Sequence, residues 1–355
     1  MSVFGAPAYD HHELVVFRDD AASGLRAIIA VHNTRLGPAL GGCRMFPYAS
    51  DADALDDVLR LARGMTYKSA LAGLPLGGGK AVIIGDPRTG KSRALLLAMA
   101  DFVDSLGGRY ITAEDSGTTV ADMAVIGERT PHVSGVQVGG RFGGDPSPFT
   151  AYGVYCGMLA AIRHRLGRDD VKGLRVAVQG VGAVGRHLAE RLIARGATVF
   201  AADPNADNLK RAGMLGATVV GVEEIAALEV DVFAPCALGA AIDAQSVENL
   251  RAPVIAGAAN NQLASPAEGE RLRRRGILYA PDFVINAGGI IEIYHQRLGS
   301  APQQSERHIE RIATVLRDIF ARADREQRST EAVAESMAEE IFMPASTPIE
   351  TRQVL

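Results

Sequence analysis

Two lysines stand in glycine-rich sequence within the first quarter of this 355-residue chain. Lys68 ends the run GMTYK that begins at Gly64, and Lys80 directly follows three glycines, 77–79; a further glycine-rich run covers 37–44. A phosphate-binding Walker loop requires Ser or Thr after its lysine, whereas Ala81 follows Lys80. The pattern instead indicates bare backbone that approaches a small ligand, with two ammonium groups available to it.

A lysine has an ordinary pKa near ~10.4, so it must lose roughly two to three units before it acts as a base near neutral pH. Burial and a neighbouring cation both lower a lysine pKa because they disfavour the charged form. If Lys68 and Lys80 lie close together, each supplies a neighbouring cation to the other. A solvated surface position is the alternative for either lysine taken alone.

Two acidic residues, Glu114 and Asp115, follow an apolar, strand-like segment, 110–113. Loops that follow strands often carry functional groups, which makes Asp115 a candidate general acid or base. The residues alone favour a simpler interpretation, in which Asp115 caps a helix predicted over 118–126.

The pattern G-x-G-x-x-G runs from Gly180 to Gly185, between a predicted strand and a predicted helix. That context is typical of a dinucleotide-binding turn. Gly180 makes the tight turn, Gly182 admits a pyrophosphate to the backbone, and Gly185 lets the helix pack on the strand. Val184 belongs to the same turn, and the helix N-terminus faces the anion.

The strand that follows this turn is predicted to end at Asp203, 18 residues after Gly185. A carboxylate at this position accepts hydrogen bonds from the ribose hydroxyls and repels a 2′-phosphate, which favours NAD over NADP. Lys210 and Arg211 lie downstream and weaken that preference.

The elements that must position these groups form two blocks. In the first, apolar segments 13–17 and 25–31 flank a turn and predict a hairpin, and Ser50 with Asp53 predicts the start of a helix that ends near Lys68. The second block opens with a helix from about 150 to 166 and then alternates strands with helices, which predicts a doubly wound parallel sheet. Its strands are predicted at 175–179, 198–202, 217–220, 230–234, 254–256 and 277–280.

The Gly- and Pro-rich segment 134–148 predicts a loop at a domain junction. We therefore expect an α/β protein of two domains, with residues 1–134 as a first domain and 135–329 as a Rossmann domain. The amphipathic helix predicted over 330–342 can pack on either block, and we join the segment 330–355 to the first domain.

Composition excludes several classes of protein. The chain has 37 Lys and Arg against 41 Asp and Glu, only 5% aromatic residues and no Trp, so neither a nucleic-acid surface nor a basic membrane-binding patch is indicated. Three widely spaced cysteines predict neither a disulfide framework nor a metal site. No apolar run is long enough to cross a membrane, and no secretory signal is evident, so we expect a cytoplasmic protein with a small-molecule partner.

Taken together, these motifs resemble the amino-acid dehydrogenases of the glutamate, leucine, valine and phenylalanine dehydrogenase family, and most closely its leucine and valine members. Members deaminate an L-amino acid oxidatively and reversibly to a 2-oxo acid and ammonia with NAD(P)⁺. The resemblance implies NAD as cofactor, an active site in the cleft between two domains, and a homo-oligomer. It is carried by residues 36–42, 64–68, 77–80, 113–119, 146–153, 180–185, 234–239, 257–263 and 279–289.

The resemblance also implies roles for individual residues. Lys68 matches the lysine that binds the substrate carboxylate, helped by backbone near Gly41 and by Asn261. Lys80 matches the catalytic lysine that activates water and stabilises charge on the carbinolamine. Asp115 matches the acid that relays protons to and from the substrate amine, which replaces the capping interpretation. Thr150 matches the residue that contacts the nicotinamide carboxamide; the other cofactor contacts are Ala237, Ala259 and Asn260.

The expected side-chain pocket is apolar. Glutamate dehydrogenases carry a lysine where Leu40 stands, and the resemblance places Ile290 and Ile293 on the same wall, with Met65 and Ala113 nearby. Such a pocket would leave a second substrate carboxylate unpaired, so leucine, isoleucine and valine are the expected substrates. The alternatives are an aromatic or other apolar amino acid, or a non-catalytic NAD-binding regulatory protein.

Three residues depart from the family pattern. Cys43 replaces a threonine and is either a small buried residue or a reactive thiol. Ser116 replaces an apolar residue and has a hydroxyl to offer Asp115. Glu292 stands between the two pocket isoleucines; facing solvent it is inert, whereas facing the cleft it would contradict the substrate assignment.

Overall fold

A five-stranded mixed sheet forms the first domain of the computed structural model, which describes residues 2–136, 145–237 and 242–343. The order of the strands in this sheet is β1-β2-β4-β3-β5. Strands β1 and β2 form an antiparallel hairpin, and β2 also pairs antiparallel with β4. Strand β3 is parallel to both of its neighbours, β4 and β5. The strands are β1 Leu14–Asp20, β2 Leu25–Asn33, β3 Ala39–Phe46, β4 Gly77–Ile84 and β5 Tyr110–Glu114; the helices are α1 Asp51–Leu71, α2 Arg93–Asp104 and α3 Val120–Ile126, after a short 3₁₀ turn at Val3–Gly5.

A six-stranded parallel sheet forms the second domain, in the order β11-β10-β9-β6-β7-β8. The strand order reverses at β6, between β7 and β9, which is where a doubly wound sheet opens a crevice for its ligand. The strands are β6 Arg175–Gln179, β7 Thr198–Ala202, β8 Thr218–Val219, β9 Val232–Pro235, β10 Val254–Ile255 and β11 Leu278–Tyr279. The helices are α4 Ser147–Leu166, α5 Ala183–Ala194, α6 Ala206–Met214, α7 Ala244–Asn249, α8 Pro266–Arg274, α9 Asp282–Ile285, α10 Gly288–Leu298, α11 Pro302–Glu326 and α12 Thr330–Phe342, with a 3₁₀ turn at Ile225–Ala227.

The two sheets share a hydrophobic core. Its largest cluster extends from Leu40 of β3 through Val154 of α4 to Val176 and Val232 of the second sheet. Helix α4 packs along α11 and contacts β10, and His308 of α11 is hydrogen-bonded to the Ala72 carbonyl at the end of α1. Two further clusters belong to the first domain, one between its sheet and helices α2 and α3, the other between the sheet and α1.

Several predicted elements are confirmed. The hairpin forms, Ser50 caps α1 by accepting a hydrogen bond from the Asp53 backbone, and the predicted bounds of β6 and β7 are those of the structure. Helix α1 continues to Leu71, one turn beyond the predicted end near Lys68. The two-domain α/β fold is thus the expected one.

The glycine-rich runs 37–44 and 77–80, which are predicted as backbone near a ligand, form most of strand β3 and the start of strand β4, which pair in parallel. Glycine is needed there because α1 lies directly on the sheet: a Cβ at Gly78 would stand 2.0 Å from the Thr66 nitrogen. The predicted cap at Asp115 is wrong. Thr119 caps α3 by accepting from the Asp122 backbone, and the Asp122 carboxylate accepts from the Thr119 backbone in return.

Helix α12 contacts both domains. Glu335 pairs with Arg63 of α1 at 3.0 Å, and Glu339 accepts a hydrogen bond from the Tyr67 hydroxyl at 2.7 Å. At its other end Thr330 donates to the Tyr279 carbonyl of β11 at 2.6 Å. Residues 137–144 of the predicted junction loop 134–148 and the chain after 343 lie outside the described residues, and the last two residues of that predicted loop already belong to α4. Within the described ranges, no helix has the length and apolar character needed to cross a membrane.

Candidate active site

An ion pair between Lys80 and Asp115 connects β4 to the end of β5, the two strands that flank β3. Lys80 lies on β4, Asp115 follows β5, and Lys80 Nζ is 2.7 Å from Asp115 Oδ2. A Cβ at Gly42 of β3 would stand 2.6 Å from the Asp115 Cβ and 3.3 Å from Lys80 Nζ. The absence of a side chain at Gly42 therefore lets the pair form across the intervening strand, and Gly41 beside it has no room for one either.

The Asp115 carboxylate is held in its ionised form. Burial alone would raise its pKa, but the Lys80 and Arg44 cations outweigh burial and lower the pKa of Asp115 to about 2. Arg44 Nε donates to the same oxygen, Oδ2, at 3.0 Å. Sequence reasoning missed Arg44, although alternation along β3 places residues 40, 42 and 44 on one face.

Lys68 lies in the last turn of α1 and reaches across to the second domain, where its Nζ donates to Asn260 Oδ1 at 3.2 Å. Burial, together with the nearby Lys80 cation, lowers the pKa of Lys68 to about 8, against the opposing effect of Asp282 and Asp115. Burial and a neighbouring cation are the two effects that the sequence predicted for a lysine in this cluster.

The loop that carries Asn260 and Asn261 is fixed by buried polar contacts. Asn261 has a left-handed backbone with φ of 51°. The Gln262 side chain donates to two carbonyls of the same loop, and its backbone N–H donates to Asp282 Oδ2 at 2.7 Å. Asn286 donates to Asn260 Oδ1 at 2.7 Å. Asp282 and Asn286 were not identified from the sequence; their one signal is their position on the turn before the glycine pair 288–289.

The G-x-G-x-x-G turn has the form that the sequence predicts. Gly180 has φ of 90°, a Cβ at Gly185 would stand 1.9 Å from the Gly180 carbonyl oxygen, and α5 begins directly after Gly182. A Cβ at Gly182 would meet no atom within 4 Å, so the turn is open on that side. The Asp203 carboxylate accepts from the Val181 backbone at 2.9 Å and so holds the turn at the end of β7.

A cavity of about 570 Å³ opens between these two sets of residues. Arg44, Asp115 and Ser116 line it from the first domain. Val184, Ala237, Ala259, Asn260 and Asn261 line it from the second. One cavity therefore brings together the ionised Asp115, the edge of the glycine turn and the asparagine loop. A dinucleotide fits this donor set because the open Gly182 and the N-terminus of α5 present backbone N–H groups to a pyrophosphate.

The predicted substrate-pocket residues lie deeper. Leu40 and Ile290 are buried in the shared core, and Met65 and Ile293 pack against the same cluster. Ala113 pairs with Gly42 in the sheet. Thr150 donates to the Pro146 carbonyl and lies against Gly289. Among the described residues, Leu40, Met65, Ala113, Thr150, Ile290 and Ile293 are not in the lining of the 570 Å³ cavity.

The structure shows a different environment for each of the three residues that depart from the family pattern. Cys43 is fully buried, which raises the pKa of its thiol to about 12, so the reactive-thiol alternative is wrong. Ser116 lines the cavity and supports Asp115 through its backbone N–H. Glu292 is half-buried and does not face the cleft. Its carboxylate is hydrogen-bonded to Ser305 of α11 and to Gln296.

A dinucleotide-type turn that faces a buried lysine–aspartate pair across a cleft is the arrangement of an amino-acid dehydrogenase. The chain belongs to the glutamate, leucine, phenylalanine and valine dehydrogenase family. It matches the family's "Glu/Leu/Phe/Val dehydrogenase, dimerisation domain" over residues 11–132 and "Glutamate/Leucine/Phenylalanine/Valine dehydrogenase" over 143–206 and 204–343.

Individual relatives agree with this assignment. The chain is 50% identical over 333 residues to the leucine dehydrogenase of Geobacillus stearothermophilus, covering 94% of this chain and 90% of the relative. It is 47% identical over 333 residues to the valine dehydrogenase of Streptomyces virginiae, covering 93% of each. The crystal structure of L-tryptophan dehydrogenase from Nostoc punctiforme superposes with a TM-score of 0.80 at 40% identity, covering 94% of this chain and 96% of that one. The expected family is therefore confirmed.

The lowered pKa of Lys68 predicts unusual reactivity toward amine reagents. At pH 8 about half of the Lys68 side chains are neutral, compared with about one in 250 for a lysine at the ordinary value near ~10.4. We expect an acylating reagent at pH 8 to modify Lys68 faster than the exposed Lys172, as followed by peptide mass spectrometry. Slower labelling of Lys68 than of Lys172 would contradict the lowered pKa.

Proposed function

We propose that this protein is an NAD-dependent dehydrogenase that converts branched-chain aliphatic L-amino acids, namely leucine, isoleucine and valine, reversibly to their 2-oxo acids and ammonia. The observation that carries the proposal is the buried Lys80–Asp115 pair beside a cavity that the glycine turn also reaches. The leucine and valine dehydrogenases that the chain resembles support this choice of substrates.

The reaction requires a carboxylate clamp, a proton acceptor and a positive group that activates water. The Lys68 ammonium, with the Asn261 amide and the backbone near Gly41, binds the substrate carboxylate. Asp115 accepts a proton from the substrate ammonium and later returns one. Once the hydride has left Cα and the nitrogen lone pair has formed a C=N bond, Lys80 orients and activates the water that adds to that carbon. The π electrons of the C=N bond return to nitrogen, the charge of Lys80 stabilises the resulting carbinolamine, and breakage of its C–N bond releases ammonia. When bound, NAD⁺ accepts the hydride from Cα. The protein also closes the cleft, which excludes bulk water from the reacting groups.

The cofactor contacts are expected from the second domain. Gly182 and the N-terminus of α5 would present backbone N–H groups to the pyrophosphate, Gly180 and Gly185 shape the turn, and Asp203 would accept hydrogen bonds from the ribose hydroxyls. Val184, Ala237, Ala259 and Asn260 would line the cofactor, and Thr150 would contact its carboxamide. Of the two basic residues that weaken the preference for NAD, Arg211 is engaged on its own helix by the Asp207 carbonyl and by Asn208. This supports NAD over NADP.

The substrate preference rests on the apolar character of the pocket. Leu40, Met65, Ala113, Ile290 and Ile293 offer a substrate side chain no charged partner. A desolvated, unpaired second carboxylate would cost several kcal/mol, whereas one methylene changes binding by only about 1–3 kcal/mol. The pocket thus rejects glutamate and discriminates weakly among leucine, isoleucine and valine. The tryptophan dehydrogenase with a similar structure favours an aromatic substrate as the second candidate.

We also propose the organisation of the whole protein. Residues 1–134 with 330–355 form the substrate-binding and oligomerisation domain, and 135–329 form the cofactor-binding domain. The description of the matched first segment as a dimerisation domain supports a homo-oligomer. Free cysteines, at positions 43, 156 and 236, suit the reducing cytoplasm.

A substrate screen tests the function directly. We expect NAD⁺ reduction at alkaline pH with leucine, isoleucine and valine, and no reduction with glutamate or aspartate, as measured by NADH absorbance across the proteinogenic L-amino acids. A parallel screen with NADP⁺ should give lower kcat/KM. Turnover of aromatic amino acids alone would favour the second candidate, and no turnover with any amino acid would favour a non-catalytic NAD-binding protein.

Lys80→Ala tests the catalytic assignment. Removal of the ammonium should reduce kcat by about 10³-fold, since positioned acid–base groups contribute about 10²–10⁴. NAD⁺ binding, measured by calorimetry, should be retained because Lys80 lies in the first domain. Lys172→Ala, at an exposed lysine of the second domain, is the control and should leave kcat unchanged. A near-normal kcat for Lys80→Ala would contradict the mechanism.

Leu40→Lys tests the pocket. A lysine on β3 should lower kcat/KM for leucine by about 10²-fold or more, because it places a cation in an apolar site. Leu298→Lys, at a position on α10 that is 60% exposed, is the matched control. Thermal unfolding should show whether each variant is folded. A folded Leu40→Lys enzyme with unchanged kcat/KM for leucine would place the pocket elsewhere.

A further inference from the structure

A chain of three polar side chains leads from the surface of the first domain to Asp115. The Tyr48 hydroxyl donates to Asp57 Oδ2 at 2.7 Å. The same oxygen accepts from Arg44 Nη1 at 2.9 Å, and Arg44 Nε donates to Asp115 Oδ2 at 3.0 Å. Arg44 thus bridges a carboxylate on α1 and the carboxylate that follows β5.

This arrangement restrains the Arg44 side chain at two points. The guanidinium is planar and rigid, so two hydrogen bonds from different nitrogens fix both its position and its orientation. The side chains of Arg44 and Asp57 are only 21% and 13% exposed. Burial would raise the pKa of Asp57, but the Tyr48 hydroxyl and the Arg44 and Arg60 cations lower it below its usual range. Asp57 therefore stays ionised and anchors Arg44 throughout the working pH range.

Arg44 and Lys80 both contact Asp115 Oδ2 but differ in their other partners. Within the described ranges, the ion-pair partner of Lys80 is Asp115. Arg44 is held by Asp57 as well as by Asp115. Any movement of the Lys80 ammonium toward substrate and water would therefore leave Arg44 as the contact that keeps the Asp115 carboxylate in place.

We propose that Arg44 is a positioning residue for Asp115, and that Asp57 and Tyr48 hold Arg44 in the orientation that this role requires. The inference rests on the proposed function, since it assigns a role in the same proton transfer. It separates into two parts: a charge effect on the protonation of Asp115, and an orienting effect that depends on the two-point bridge.

The charges around Asp115 determine the sign of the charge effect. Lys80 faces the Asp115 carboxylate from β4, and Arg44 and Cys43 face it from β3. Lys68 of α1 and Glu114 and Tyr110 of β5 are the other titratable groups near it. Tyr48 and Asp57 lie one contact further away. Removal of the Arg44 cation makes the Asp115 carboxylate easier to protonate. Because the ionised carboxylate is the active form, activity should then be lost at a higher pH as the pH falls.

The experiment compares Arg44→Gln, Arg44→Lys and Tyr48→Phe, with kcat and KM for leucine measured from acid to alkaline pH. Arg44→Gln should move the acid limb of kcat, which reports groups in the enzyme–substrate complex, upward by about one pH unit or more. Its maximal kcat should fall about tenfold or more, because the carboxylate is no longer oriented. KM should change less than kcat.

The other two variants separate charge from orientation. Arg44→Lys keeps the positive charge but has no second nitrogen to bridge Asp57, so the acid limb should return toward its wild-type position while kcat stays low. Tyr48→Phe removes one bond to Asp57 and leaves every charge in place, so kcat should fall several-fold with no movement of the acid limb. Arg26→Gln, which removes an exposed pair with Asp51 in the same domain, is the control and should match wild type.

The outcomes distinguish this inference from the proposed function. If wild-type protein turns over no amino acid, the proposed function fails. If wild type is active and folded Arg44→Gln has an unchanged acid limb and kcat, only the role of Arg44 fails. A loss confined to KM would make Arg44 a ligand contact and would also overturn the inference. Equal loss at every pH in all three Arg44 and Tyr48 variants, with a lowered midpoint of thermal unfolding, would indicate a merely structural role.

Discussion

The ion pair between Lys80 and Asp115 is the interaction on which the rest of the site depends. A buried ion pair is costly because both charges lose water, and it persists only where geometry and further hydrogen bonds compensate. Here the pair crosses an intervening strand, so β3 must carry no side chain at Gly42. The same close packing removes side chains at Gly41 and Gly78, where neighbouring backbone occupies the space of a Cβ. Glycine at these positions of β3 and β4 is therefore a packing requirement, and at Gly42 it serves the charged pair directly.

The second requirement is that two domains complete one site. Lys68 of α1 contacts Asn260, whose amide oxygen also accepts from Asn286, so the proposed carboxylate clamp and the proposed cofactor loop share one hydrogen-bond network. Helix α12 adds a second connection, because it pairs with α1 and bonds to β11. Electrostatic interactions strengthen where water is excluded, so closure of the cleft, as proposed, would act on the Lys80–Asp115 pair through these contacts between the domains.

The sequence predicts local structure better than it predicts tertiary contacts. The bounds of β6 and β7 can be predicted because buried parallel strands appear in the sequence as continuous apolar runs. The glycine turn between β6 and α5 can be predicted because it is a local sequence motif. Strand β3 is not predicted because its glycines resemble a loop. They are explained only by tertiary contacts, since the backbone of β4 lies against Gly41, and Asp115 and Lys80 lie against Gly42. The contacts of Arg44, Asp57 and Asn286 could not be predicted for a related reason. Their partners lie far away in the chain, and a single sequence does not show which residues are in contact.

The low pKa of Asp115 constrains how the proposed mechanism operates. Transfer of a proton from the substrate α-ammonium group, a much weaker acid, to a carboxylate with a pKa of about 2 is strongly uphill, at about 1.4 kcal/mol for each unit by which the two pKa values differ. Loss of one cation from Oδ2 raises the pKa of Asp115 and lowers this cost. In the proposed mechanism Lys80 is the partner that leaves, because its ammonium is directed to the attacking water, whereas Asp57 holds Arg44 in place. The two-point contact of Arg44 would then keep the Asp115 carboxylate oriented while the departure of Lys80 raises its basicity.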